Sequence, residues 1–176
     1  MKINTIVFTL SALAINFEVA YANSDHKSDH RAGHKAHEHG AASLDFVAQG
    51  KTLNLNFRSP ADSIYGFEHE PKSELEKENQ KKGIALLKEK FTEIVVLDAK
   101  LECLLKQSTV EVKKESAKHS AIVANYEFEC VKALSGTSVQ VDFSKYFKSV
   151  KSISVQILSG EKQNSTKLKQ KGWVEL

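Results

Sequence analysis

Histidine is concentrated in one short stretch of the chain, where five of the seven histidines fall within fourteen positions. Imidazole nitrogen suits zinc, copper and nickel, and a protein zinc site takes three or four such ligands. The first four follow one another at intervals of four, four and three residues, which on a helix would align their side chains. The cluster therefore predicts metal binding, against the alternative of a solvated polar tail. Its members are His26, His30, His34, His37 and His39.

Two further histidines lie later in the chain. His69 stands between Glu68 and Glu70 in "GFEHEP", and His119 precedes an apolar run in "KHSAIV". A carboxylate beside an imidazole is either a ligand itself or a group that orients the ring, and we expect one of these roles for Glu68. For each of the two histidines, an ordinary surface or core position is the alternative to a role as metal ligand.

The first residues have the pattern of an export signal. Lys2 precedes the apolar stretch "INTIVFTLSALAI", and "AYA" ending at Ala22 has the small-x-small form of a cleavage site. The sequence thus predicts a signal peptide over residues 1–22, with an uncleaved anchor as the alternative. The apolar stretch is shorter than the roughly 20 residues that a membrane span needs, and we expect no span in the mature, exported protein.

Residues 23–40 contain almost no large apolar side chains and are predicted to form a flexible, metal-binding arm. Ordering such a segment costs about 1–2 kcal/mol per residue. Sites built from the arm alone should therefore be weaker than a site that combines arm histidines with ligands of a folded domain, predicted over residues 41–176.

Several function classes are disfavoured by what the sequence lacks. The formal net charge is only +3 and no basic block is interleaved with aromatic residues, so nucleic acid is not expected as a partner. The chain has no HExxH, no GxSxG and no glycine-rich phosphate loop, and we predict no catalytic residues and no enzymatic activity. An envelope adaptor and a zinc-dependent hydrolase remain the alternatives to a metal-binding role.

The two cysteines, Cys103 and Cys130, are predicted to form a disulfide. An even count in an exported protein favours pairing. Each cysteine also falls on the apolar face of an alternating run, so that pairing across an antiparallel sheet or between two sheets is geometrically reasonable. Two buried free thiols are the alternative.

Alternation of apolar and polar residues predicts a mostly β (α+β) fold for the domain. Residues 44–57 form a hairpin pattern around "QGK", and Ser73 with Glu76 forms a capping box for one helix over residues 73–91. We expect antiparallel strands, arranged as a single sheet or a sandwich, with this helix inserted after the hairpin. The later alternating runs are 101–105, 110–112, 122–130, 139–143 and 153–157.

Two stretches together resemble the ZrgA-type family of periplasmic zinc-binding proteins. They are "HEHGAASLDFVAQGKTLNLNFRSPADSIYGFEHEP" and "HSAIVANYEFEC". The matching residues are His37, His39, Gly40, Leu44, Val47, Ala48, Gly50, Ser59, Pro60, Ala61, Gly66, Phe67, Glu68, His69 and Pro71 in the first stretch, and His119, Ser120, Tyr126, Phe128 and Cys130 in the second.

The resemblance implies a soluble periplasmic protein that binds Zn²⁺ and supports its acquisition, with a component of a zinc-uptake transporter as partner. Combined with the residue patterns, it leads us to expect a better-defined site formed by His37, His39, His69 and His119. Copper(II) and nickel are expected competitors. Where many members of the family carry a His- and Asp-rich insertion, this chain has only "TVEVKKESAKHS". The remaining arm histidines would then capture additional ions.

Overall fold

The structure, a computed structural model, describes residues 39–176. The predicted signal peptide, the predicted arm up to residue 38 and the candidate ligands His26, His30, His34 and His37 lie outside the described residues. Within residues 39–176, no helix combines the length and apolar character that crossing a membrane requires.

Strands dominate the described part of the chain, and two α-helices interrupt them. In chain order the elements are β1 (Ala41–Gln49), β2 (Thr52–Pro60), α1 (Asp62–Tyr65), α2 (Glu74–Ile94), β3 (Val95–Val96), a 3-10 helix (Ala99–Leu101), β4 (Cys103–Lys114), β5 (Ser120–Cys130), β6 (Ser138–Asp142), β7 (Ser152–Ser159), β8 (Lys162–Leu168) and β9 (Lys171–Glu175). The mostly β class and the β1–β2 hairpin are confirmed.

The strands form two sheets, one of them mixed. Six strands pair in the order β4-β5-β2-β1-β7-β8, and three short ones pair in the order β3-β6-β9. The expectation that all strands are antiparallel is wrong at one place, because β1 and β7 run parallel along their whole length. Alternation fixes the face on which a side chain lies but not the direction of the neighbouring strand, and β7 reaches β1 only after a long crossover.

The core is built from the inner face of the large sheet, α2 and β6. Phe91 of α2 stacks on Tyr126 of β5 with ring centroids 3.4 Å apart, and the Tyr126 hydroxyl donates to the Leu87 carbonyl at 2.9 Å. Burial raises the pKa of Tyr126. Phe57 of β2 stacks on Phe143 just beyond β6 at 5.0 Å. These contacts fix α2 across the sheet, so the segment before α2 is fixed as well.

The long helix begins where the capping box predicts. The Ser73 side chain accepts a hydrogen bond from the Glu76 backbone N–H, and the Glu76 carboxylate accepts one from the Ser73 N–H. The helix extends to Ile94, three residues beyond the predicted end. The sequence analysis did not predict the short α1, a single helical turn that carries Asp62 at its first position.

Near its other end, α2 is tied to the loop after β6. Glu93 accepts hydrogen bonds from Lys145 at 2.5 Å, from the Tyr146 hydroxyl and from Lys90 at 2.9 Å. These donors, Lys145 foremost, lower the pKa of Glu93 from 4.5 to about 2. Because Glu93 is exposed, the cluster orients the loop more than it stabilises the fold.

The predicted disulfide between Cys103 and Cys130 is present. The two residues lie directly opposite each other in the β4–β5 ladder. For a sequence separation of 27 residues, the loss of chain entropy in the unfolded state corresponds to about 3.5 kcal/mol of stability. The bond therefore holds one end of β4, an edge strand, against the interior of the sheet.

Candidate metal site

One histidine and two carboxylates converge beside the start of β1. The ligand atoms of His39, Asp62 and Glu68 all lie within 4.8 Å of one another. His39 Nδ1 donates a hydrogen bond to Asp62 Oδ2 and lies 3.8 Å from Glu68 Oε1. Donor atoms around a tetrahedral zinc ion at 2.0–2.1 Å are themselves about 3.3 Å apart, so small side-chain movements would bring these three into a coordination shell.

The position of His39 is set by its neighbour Gly40, which is bound from two sides. The Gly40 N–H donates to Ser63 Oγ at 3.1 Å, while its carbonyl accepts from Lys151 N at 2.6 Å and Ser152 N at 3.0 Å. Gly40 has a φ of +82°, and a Cβ there would lie 2.9 Å from the Ser149 carbonyl oxygen. A residue without a side chain is therefore required to hold His39 against α1.

Glu68 is the buried member of the group. Its side chain is 7% exposed, and its Oε2 accepts a hydrogen bond of 2.5 Å from His119 Nδ1. Its other oxygen, Oε1, is buried and has no hydrogen-bond partner in the part of the chain that the structure describes. A buried polar atom without a partner is unfavourable by about 1–3 kcal/mol. Since Oε1 is the oxygen near His39, a cation between them would supply the missing interaction.

His119 contacts the group through Glu68 and is not one of its three members. It lies immediately before β5 with its ring half exposed, and its backbone N–H donates to Ser116 Oγ at 3.1 Å. The following residue, Ser120, donates from Oγ to the Glu68 carbonyl at 2.5 Å. The start of β5 thus holds Glu68 by both its side chain and its backbone, and hydrogen bonds of this kind orient carboxylates that bind metal ions.

His69 lies outside the group of three. Its ring stacks on Phe67 with centroids 5.1 Å apart, Nδ1 donates to the Glu70 carbonyl at 2.9 Å, and Nε2 lies 3.7 Å from Glu76 Oε1. One ring nitrogen thus faces the loop carbonyl of Glu70 and the other faces Glu76 in the first turn of α2. The structure places the Glu68 carboxylate, and not the adjacent imidazole, beside His39.

Asp62 is the member that the sequence analysis missed. It is one of three acidic residues between Pro60 and Pro71, and unlike Glu68 and Glu70 it has no histidine next to it in the sequence. The signal that was available is its position six residues before Glu68, within a stretch whose neighbours match the family pattern. Its role becomes visible only because α1 turns its side chain toward His39.

Asp62 also sets the protonation of the group. By accepting the hydrogen bond from Nδ1, its carboxylate raises the pKa of His39 above the ordinary value of 6.5. Without a metal, a protonated His39 offsets the charge of the two carboxylates. Binding of a metal ion to Nδ1 must displace that proton, so proton and cation compete for one nitrogen atom.

The arrangement is open to solvent. The His39 side chain is 69% exposed, and the groove of about 310 Å³ beside α1 is lined by Asp62 but by neither His39 nor Glu68. An exposed imidazole with two carboxylates, one of them buried, forms a candidate surface site for a divalent cation.

The chain belongs to the ZrgA family of zinc uptake proteins, whose family model matches residues 36–174. The resemblance seen in the sequence motifs is thereby confirmed, and the match includes all three members of the site. The family is one of uptake proteins and not of enzymes. No curated protein matches the chain.

Proposed function

We propose that this protein captures Zn²⁺ in the periplasm through His39, Asp62 and Glu68 and supports its delivery to an uptake system. The observation that carries this proposal is the buried Oε1 of Glu68, which lacks a hydrogen-bond partner among the described residues and faces His39 at 3.8 Å. A divalent cation is the group that would bind both atoms at once. The zinc-uptake family supports zinc as that cation.

The remaining predicted ligands act around this centre. His119 orients Glu68, and a water molecule or His37 completes the coordination. His26, His30 and His34 capture additional ions at weaker sites, and His69 supports the loop that carries Glu68. Copper(II) and nickel compete for the same donors, because imidazole and carboxylate do not exclude them.

A periplasmic location is supported by the predicted signal peptide and by the disulfide, since disulfides persist in oxidising compartments. The proposed recipient of the ion is a component of a zinc-uptake transporter. A cargo-binding protein must also release its ion, and an exposed site with three protein ligands suits exchange better than a closed four-ligand site.

Calorimetric zinc titration of the metal-stripped mature protein tests the site. The variants E68Q and D62N should each weaken binding by at least about tenfold, because each removes a charged oxygen ligand, and H119A should weaken it by about tenfold through loss of orientation. E70Q is the matched control, since Glu70 is 85% exposed and should be without effect. Unchanged affinity in E68Q would contradict the proposal.

Two truncated chains separate the site from the arm. A chain that begins at Glu38 keeps all three proposed ligands, whereas a chain that begins at Ala41 lacks His39. Tight binding of one ion by the first and its loss in the second is the expected result. Equal binding by both would place the tight site elsewhere in the domain, and absence from both would assign it to the arm.

A further inference from the structure

The excess positive charge of the domain lies at its C-terminal end. Residues 39–142 carry 14 basic and 16 acidic side chains, a net charge of −2. Residues 143–176 carry seven lysines and two glutamates, a net charge of +5. This asymmetry is large for a chain whose total formal charge is only +3, and an asymmetric charge distribution steers charged partners.

Four of these lysines are gathered into one surface, which we call the basic surface. Lys148 is its centre, because its carbonyl accepts hydrogen bonds from Lys151 Nζ at 2.6 Å and from Gln170 Nε2 at 2.9 Å. Gln170 lies in the turn between β8 and β9, with Lys169 and Lys171 on either side of it in the chain. All four lysines are exposed.

Asp142 and Glu93 hydrogen-bond to groups outside the basic surface, whereas Glu175 shares the outward face of β9 with Lys171 and Trp173. Asp142 stands opposite Lys171 in the β6–β9 ladder, but its Oδ1 accepts from both the backbone N–H and the hydroxyl of Ser144. Glu93 is occupied by Lys145, a lysine outside the basic surface. Asp142 keeps its negative charge opposite Lys171, but among the described residues none of the four lysines forms an ion pair with a carboxylate.

The basic surface adjoins the metal site. The Lys151 N–H donates to the carbonyl of Gly40, the residue after His39, at 2.6 Å. The Lys151 Cγ lies 3.0 Å from the place that a Cβ of Gly40 would take. A partner that covers Lys148 and Lys151 would therefore lie beside the exposed imidazole of His39.

An apolar anchor stands at the other side of the basic surface. Trp173 is 64% exposed and shares an outward face of β9 with Lys171. Across the small sheet it continues into a row with Gln140 and the 41% exposed Val96. Tryptophan is enriched among the residues that contribute most to binding at protein interfaces.

We propose that the basic surface, with Trp173 as anchor, docks an acidic segment of a partner protein and brings that segment to the zinc site. A segment rich in Asp or Glu matches the lysines in charge and can itself accept the ion. The inference rests on the proposed function for what is exchanged, but docking can be measured without zinc.

The test measures binding of a labelled Glu-Gly repeat peptide to the metal-free mature protein by fluorescence anisotropy, with the emission of Trp173, the only tryptophan, as a second readout. We expect saturable binding that weakens with salt. The variant K148Q/K151Q/K169Q/K171Q should lose at least about tenfold in affinity, and the control K51Q/K81Q/K88Q/K100Q, with the same net charge, at most about threefold.

Equal losses in the two variants would overturn the proposal, since net charge alone would then explain binding. Binding to phosphatidylglycerol vesicles in place of the peptide would also overturn it and identify a lipid surface. Circular dichroism checks that both variants are folded. If the wild type itself bound no zinc, the proposed function would fail while the docking result stood.

Discussion

Replacing Gly40 with alanine should both destabilise the domain and weaken zinc binding. The backbone of Gly40 has a φ of +82°, and the new Cβ would lie 2.9 Å from the Ser149 carbonyl oxygen. The left-handed conformation costs a residue with a Cβ about 1–2 kcal/mol, and the forced contact adds about 1–3 kcal/mol. Because alanine reduces the conformational freedom of the unfolded chain, it also stabilises the folded state by about 0.4–1 kcal/mol.

The expected net loss for G40A is about 1–5 kcal/mol, centred near 3 kcal/mol, which corresponds to roughly 10 °C in Tm for a domain of this size. Because the backbone must shift next to His39, zinc affinity should fall by at least about tenfold. Urea denaturation and calorimetry measure the two effects on the metal-free and zinc-titrated protein.

Gly50 provides the matched control for this prediction. It also has a positive φ, +61°, but a Cβ added to it would meet nothing within 4 Å. G50A should therefore cost only about 0.5–1 kcal/mol and leave zinc affinity unchanged. Equal destabilisation by both substitutions would refute the argument from the contact with Ser149. A stable G40A with wild-type zinc affinity would show that Gly40 does not position His39.

Three further predictions concern the disulfide and two titrating groups. The double variant C103S/C130S should lose about 3.5 kcal/mol of unfolding free energy in urea, and an unchanged midpoint would contradict the loop-entropy argument. Zinc affinity should fall as the pH is lowered through the raised pKa of His39, and the fall should begin above pH 6.5. Calorimetry at several pH values measures this change. An affinity that does not change over this pH range would exclude His39 as a ligand. The lowered pKa of Glu93 gives a stabilising effect that is complete above its unfolded value of 4.5 and lost as the pH falls to about 2. Wild type and E93Q should therefore differ in stability at neutral pH and converge in acid, and a constant difference would contradict the assignment.

Much of the large sheet could be predicted because its buried face follows a strict alternation. Leu44, Phe46 and Ala48 in β1 and the corresponding residues in β2 are all buried, and the turn between them is short. The last two strands, β8 and β9, were not predicted. Strand β8, "KQNSTKL", lies at the sheet edge and buries no residue fully, so its sequence carries no period.

The alternating sequence pattern could not predict the parallel pairing of β1 with β7 either. In both strands apolar and polar residues alternate, as they would in an antiparallel pair. Neither segment's sequence indicates that the chain crosses over before β7. The contacts that select this arrangement are long-range, from the Gly40 carbonyl to the Lys151 and Ser152 N–H groups. Tertiary hydrogen bonds of this kind leave no signature in either segment alone.

The site was predicted where chemistry is visible in residue type and missed where it depends on geometry. His39 attracted attention as part of the histidine cluster, His119 as one of only two histidines outside it, and Glu68 through its neighbour His69. Asp62 did not, because aspartate in a loop has many ordinary reasons to be there. Only the turn of α1 distinguishes it from the other acidic residues.

The three members of the candidate site differ in burial and in the elements that hold them. Glu68 is buried and fixed by the start of β5, and Asp62 is fixed by α1, whereas His39 is the most exposed member and stands at the end of the predicted arm. In the proposed zinc site, Asp62 and Glu68 thus supply fixed negative charge, and His39 supplies the exchangeable nitrogen. Since the basic surface lies against the residue next to His39, a partner docked there would meet the proposed zinc site at its most exposed member.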